Sequence, residues 1–213
     1  MIYFCIVGKY SNIDKTILGN NIAGIKFRIL FVEASRVVSC PELPAIKTTD
    51  DDYLITTGDF VFVDPVTDGF NFIEVVNRTG ELKWKSAGTT GNLKTILELD
   101  FDYAGISSAY AKFLALAKND NLILIIERTD CSGLRFLFGG CCLPAQMISY
   151  EGTTGKKPDD DIKTNIKMDA LAVGLPLVLP TELIIPIVSV DDNIITEDDD
   201  DIIDEDDNDL IQE

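Results

Sequence analysis

The alternation of apolar and polar residues along this chain reads mostly as strands. Residues 25–33, Ile-Lys-Phe-Arg-Ile-Leu-Phe-Val-Glu, open with a period of two and predict a strand. Phe-Val-Phe-Val at 60–63 predicts a short one between Gly58-Asp59 and Asp64-Pro65, and residues 70–76 another after Asp68-Gly69. The clearest alternation is 93–101: Leu93, Thr95, Leu97, Leu99 and Phe101 share one side, Lys94, Glu98 and Asp100 the other, with Ile96 as the exception. From about 105 to 119 the period changes. Ile106, Ala109, Tyr110, Phe113, Leu114 and Ala117 follow helical spacing, Ser107 or Ser108 suits the N-cap, Lys118 suits the C-terminal end of the dipole, and Asn119-Asp120-Asn121 stops the helix. Leu122 to Glu127 is a near-continuous apolar run, as expected of a strand buried on both faces. Thr129 to Gly133 reads as a turn back to Leu134–Phe138, Gly139-Gly140 ends that strand, and 143–150 offers another. Ile162, Thr164, Ile166, Met168, Ala170 and Ala172 alternate with Lys163, Asn165, Lys167 and Asp169, with Leu171 as the exception, and predict a long strand with one wet face. Gly88-Thr89-Thr90-Gly91 recurs as Gly152-Thr153-Thr154-Gly155, each before a strand carrying Lys-Thr; an internal echo and a chance match both account for it. Many strands and one medium helix predict a mainly β fold, a twisted sheet packed as a sandwich or barrel with the helix over one face or opening.

Composition sharpens this picture mainly through charge. The 213 residues carry 36 Asp and Glu against 18 Lys and Arg, a net of −18. Residues 191–213 hold 13 of the acids and no base, which leaves the other 190 residues with 23 acids, 18 bases and a net of −5. Non-specific nucleic-acid binding depends on Lys and Arg displacing counterions, and this balance argues against it. There is no histidine, which excludes Ser-His-Asp and Cys-His catalysis, His-ligated zinc and histidine pH switching. Cys5, Cys40, Cys131, Cys141 and Cys142 form no C-x-x-C pair; odd in number and with two adjacent, they read as free buried thiols in a reducing compartment, ahead of the alternative of a disulfide framework. Met1–Val7 is apolar but lacks a basic flank and the length of a signal sequence. Ala170–Val190 is long enough to span a bilayer, but Pro176, Pro180 and Pro186 predict an extended segment in place of a membrane helix.

Candidate chemistry is sparse. Gly155-Lys156-Lys157 lacks the earlier glycine of a phosphate loop and is followed by Pro158; Gly19 and Gly24 have the right separation, but Ile25 precedes Lys26. Asp50-Asp51-Asp52 and Asp159-Asp160-Asp161 could supply paired carboxylates, yet both lie in polar sequence that reads as solvated loop. Asp198–Asp201 begins like a calcium loop, but Ile203 stands where an EF-hand needs glycine. No catalytic, cofactor or metal site is expected. The tail 191–213 reads either as a solubilising polyanion or as a docking peptide. In the second reading its apolar pairs Ile194-Ile195, Ile202-Ile203 and Leu210-Ile211 anchor on a partner while the acids meet a basic groove.

From about residue 8 to 172 the order of segments resembles the tail-tube-like virion proteins of tailed bacteriophages. Gly24-Ile25-Lys26-Phe27 followed by Val32-Glu33-Ala34-Ser35-Arg36-Val37 carries the likeness, as does Phe70-Asn71-Phe72-Ile73-Glu74-Val75 with Gly80-Glu81-Leu82. More specific is the order of an alternating strand, a helix, Leu122–Glu127 and the hairpin to Leu134-Arg135-Phe136-Leu137, and then Thr154-Gly155-Lys156-Lys157-Pro158-Asp159 before a further alternating strand. Here that last strand follows Asp161-Ile162 where the pattern usually has an Asn-Gly-like turn, and everything after residue 174 lies outside the likeness.

The resemblance implies two packed antiparallel sheets with a flanking helix, in subunits that form hexamer-like rings whose inner strands line a channel and which stack. It implies a structural virion protein, in the tube or in a related ring, hub or connector, assembled in the host bacterial cytoplasm. Its partners would be copies of itself and other tail, portal or connector proteins, with DNA passing through the lumen and no membrane insertion. An acidic body with few bases suits a wall that repels phosphates, and 93–101 and 162–172 are candidate lumen strands. The alternatives are an adaptor whose acidic tail docks a basic partner, or a tube-like protein of a contractile secretion system. The expected organisation is a β domain over 1–173, a Pro-rich extended segment over 174–190 and the acidic tail over 191–213.

Overall fold

The structure, a computed structural model, describes residues 24–188 apart from 77, 130–132, 157–161 and 173. It is mainly β, with antiparallel strand pairing and one α-helix. The central strand is β7 (Leu122–Arg128), where the sequence has its continuous apolar run. Leu122, Leu124 and Ile126 point into one buried cluster, Ile123 and Ile125 into another on the opposite face. A strand with no wet face shows no alternation, so the run of five buried residues is the expected signature. Beside it lie β1 (Ile25–Glu33) and β8 (Arg135–Phe138). The edges are β4 (Asn71–Glu74) and β11 (Leu177–Leu179), giving the order β11-β8-β7-β1-β4.

A second sheet has the order β5-β6-β10-β9, from β5 (Glu81–Thr89), β6 (Asn92–Ala104), β10 (Lys163–Ala172) and β9 (Gln146–Thr153). Its Leu97, Leu99, Phe101, Ile166, Met168 and Ala170 share the first cluster with Ile25, Ile29, Leu124 and Phe138 of the five-stranded sheet. The second cluster is closed by a ribbon of β2 (Val37–Ser39) and β3 (Val61–Phe62). Phe70 sits in it, with the rings of Phe60 and Phe62 edge-on at 4.9 and 5.9 Å. The short runs at 60–63 and 70–76 shorten to Val61–Phe62 and Asn71–Glu74, because each pairs over only a few residues.

The helix α1 covers Ser108–Ala117, shorter at both ends than the periodicity predicts. Ser107 is the cap, its hydroxyl accepting from the Tyr110 amide at 3.1 Å. Tyr110 and Ala117 are buried, and the Phe113 ring meets Phe31 edge-on at 5.0 Å. Ile106 and Ala109 depart from the predicted apolar face: Ile106 precedes the cap and both are exposed. Tyr103 on β6 stacks on Tyr110 with centroids 3.8 Å apart.

Two further differences matter. The Pro-rich stretch, described over 174–188, packs against the body. β11 pairs with β8, Leu179 and Leu183 enter the second cluster, and Phe70 and Val188 exchange backbone hydrogen bonds with 186–188 and 70 respectively. The Arg135 guanidinium donates to the carbonyls of Leu183 at 3.0 Å, Thr181 at 2.9 Å and Pro180, which fixes the turn after β11. Among the described residues no helix is long and apolar enough to cross a membrane. The second difference is a disulfide between Cys40 and Cys141, 101 residues apart, where the sequence predicts free thiols. Chain spacing does not signal it, because the residues meet only when the loop after β2 and the turn after β8 close over the second cluster. Cys142 is an exposed free thiol, while Cys5 and Cys131 lie outside the described residues.

Candidate assembly interface

The four-stranded sheet joins two hairpins, β5–β6 and β9–β10, through their inner strands. Thr89 pairs with Asn92 across the two-residue turn Thr90-Gly91, and Gly91 takes φ +88° with open space around it. The second Gly-Thr-Thr-Gly copy lies at the corresponding end of β9 and leads towards β10. The two copies therefore occupy matching places in two hairpins.

Register sorts the side chains of this sheet. Leu99 lies between Leu82 and Met168, and Phe101 pairs with Ile166, so these face the core. The opposite face carries Glu81, Lys83 and Lys85 on β5, Lys94, Glu98, Asp100 and Asp102 on β6, Lys163, Asn165, Lys167 and Asp169 on β10, and Glu151 on β9. These charges form a lattice. Lys163 meets Asp102 at 3.1 Å, Lys167 meets Asp100 at 3.8 Å, Lys83 meets Glu81 at 2.8 Å, and Lys85 meets Glu98. The Asn165 amide donates to Asp100 at 2.6 Å and to Asp102 at 2.9 Å. Partial burial alone would raise the Asp102 carboxyl; the Asn165 hydrogen bond and the Lys163 ammonium outweigh it and hold the group below the ordinary carboxylate range. The Lys83 ammonium is raised by its hydrogen bond and proximity to Glu81. This wet face is mixed in charge. Four of its lysines are tied to carboxylates, so little free positive charge is offered to a phosphate.

Among the described residues the sheet ends in two open edges. β5 pairs with β6 and β9 with β10, and among the described residues neither outer edge is bonded to a further strand. β5 runs for 9 residues and β9 for 8, nearly all exposed. Long unpaired edges invite pairing with another chain. A bulge lies in the β9 ladder opposite Lys167–Met168.

The other candidate residues fall elsewhere. Asp51–Tyr53 forms a short 3₁₀ turn, and Asp52 accepts from the amides of Thr49 at 2.7 Å and Thr48 at 2.6 Å. Those two bonds, Thr49's first, pull its carboxyl below the usual range, so Asp52 acts as a loop staple. Asp159–Asp161 and the tail residues Ile194, Ile195, Ile202, Ile203, Leu210 and Ile211 lie outside the described residues. A cavity of about 320 Å³ beside the disulfide is lined chiefly by leucines, with Glu42 as its charged residue. Among the described residues no group of three or more Cys, Asp or Glu side chains is placed to share a metal ion. β5 is the longest element that strand reading missed, because Lys83, Lys85 and Ser86 surround Trp84 and both faces of the strand are largely wet. Comparison with known protein families, with curated proteins and with solved structures finds no match.

Proposed function

We propose that this chain is a structural virion protein of a tailed bacteriophage, a tail-tube-like subunit whose copies join sheet edges into a ring around a DNA channel. The observation that carries the reading is the four-stranded antiparallel sheet whose two long edges are open among the described residues and whose one face is covered by a paired charge lattice. Edge joining between copies satisfies the unpaired backbone groups, and ring closure leaves no terminal edge. A lumen face needs to be wet without binding phosphate, and lysines already held by carboxylates meet that need. A mainly β chain with antiparallel sheets that share a buried cluster, and one helix, supports the reading. Size-exclusion chromatography with light scattering, followed by negative-stain imaging, tests the proposal. Closed rings of one stoichiometry are the expected result; a strict monomer at high concentration, forming no ring with its virion neighbours, would overturn it.

The acidic tail favours a second reading, an adaptor that docks a basic partner, because all 13 acids of 191–213 stand without a base among them. Deleting 191–213 separates the two. Rings that survive the deletion place the tail as an accessory to a structural body. Loss of partner binding from a body that never oligomerises supports the adaptor.

A further inference from the structure

We infer that the joint between copies is head-to-tail, β5 of one copy against β9 of the next, with Trp84 opposite Tyr150 and Lys83 opposite Glu151. The inference rests on the ring reading and adds the polarity, the register and the residues of the joint.

Polarity follows from strand count. Each neighbouring pair in β5-β6-β10-β9 is antiparallel, so β5 and β9 run in opposite directions. Placing β9 of one copy beside β5 of the next continues the antiparallel ladder, and the same step repeats around a ring. Register follows from the two aromatics. Trp84 pairs with buried Leu97 and Tyr150 with buried Ile166, so both stand on the core-facing side of the sheet. Yet Trp84 is 53% exposed and Tyr150 49%, because each sits on an outermost strand whose far flank is uncovered. Ile148, at the bulge of β9, is also exposed. Apolar groups on the inner side of an edge are covered when the sheet is extended by another strand. With Trp84 opposite Tyr150, the antiparallel ladder sets Lys83 opposite Glu151 and Leu82 opposite Gly152. Opposite charges then face each other across the joint on the wet side.

The symmetric alternative fares worse. Two β5 edges centred on Trp84 would place Lys83 opposite Lys85 twice, and like charges directly opposite are unfavourable. A two-fold joint would also stop at a dimer, leaving both β9 edges open.

Trp84 is the chain's single tryptophan, so its fluorescence reports this joint directly. Unmodified full-length protein is titrated in concentration, with emission and light-scattering mass read on the same samples. A blue shift that tracks the rise in mass is the expected result. Lys83→Glu should raise the concentration for half-assembly about tenfold or more, and adding Glu151→Lys should restore it. Oligomers whose Trp84 emission stays that of an exposed indole, or a double variant as weak as the single one, would overturn the joint while leaving the ring standing. A chain that stays monomeric at every concentration would overturn the ring and the joint together.

Discussion

Gly139 and Gly91 show how a single position is set by its surroundings. Both take positive φ, +78° and +88°. A Cβ at Gly139 would lie 2.6 Å from the Ala145 amide nitrogen and 3.0 Å from the Leu122 carbonyl, whereas one at Gly91 would meet nothing within 4 Å. Gly139→Ala is therefore expected to cost about 2–4 kcal/mol, from strain together with a clash against backbone that cannot move away. Gly91→Ala should cost only about 1 kcal/mol, from the φ alone. Urea unfolding of the two variants side by side checks the difference. The carboxylates give a pH expectation at the same scale. Asp52 and Asp102 are depressed when folded, so the stability they contribute is complete above the unfolded value of about 3.9. That stability is lost as pH falls through their lower folded values. Unfolding midpoints should begin to fall below about pH 4. Asp102→Asn should flatten that drop, because the variant no longer has the Asp102 carboxylate to protonate.

At the scale of elements, two long-range ties hold the layers. Arg135 binds three carbonyls of 180–183, so Arg135→Ala should remove these bonds from partly buried and exposed acceptors and cost roughly 1–2 kcal/mol. Faster proteolysis between β11 and residue 188 than elsewhere would confirm that the clip, and not the sheet, has been lost. The Cys40–Cys141 bond closes a loop of about 100 residues, and replacing both by Ser should cost about 2–5 kcal/mol under oxidising conditions and little under reducing ones. Thermal unfolding with and without reductant separates the two cases. These ties were the least legible features of the sequence. β1, β6, β7 and β10 showed through because each has a definite rule, alternation for one buried face or a continuous run for two. Neither a disulfide between distant chain positions nor a guanidinium clip has a local pattern, since both exist only after the layers stack. β5 was hidden for another reason: its lysines and exposed Trp84 suit a strand that lacks its neighbour, and such a strand resembles a polar loop. The open edges could not be read until strand order was known.

At the scale of the whole molecule, the two buried clusters account for a stable body, and the paired charges account for a wet outer sheet face. What they leave over, among the described residues, is a sheet that ends without closing. The edge claim is tested most directly by hydrogen exchange across a concentration series of the full-length protein. The outward-pointing amides of β5 and β9 should exchange freely in dilute solution and become protected together as particles form, while those of β6 and β10 stay protected throughout. Particles in which the amides of both outer strands exchange as fast as in the monomer would contradict assembly through sheet edges.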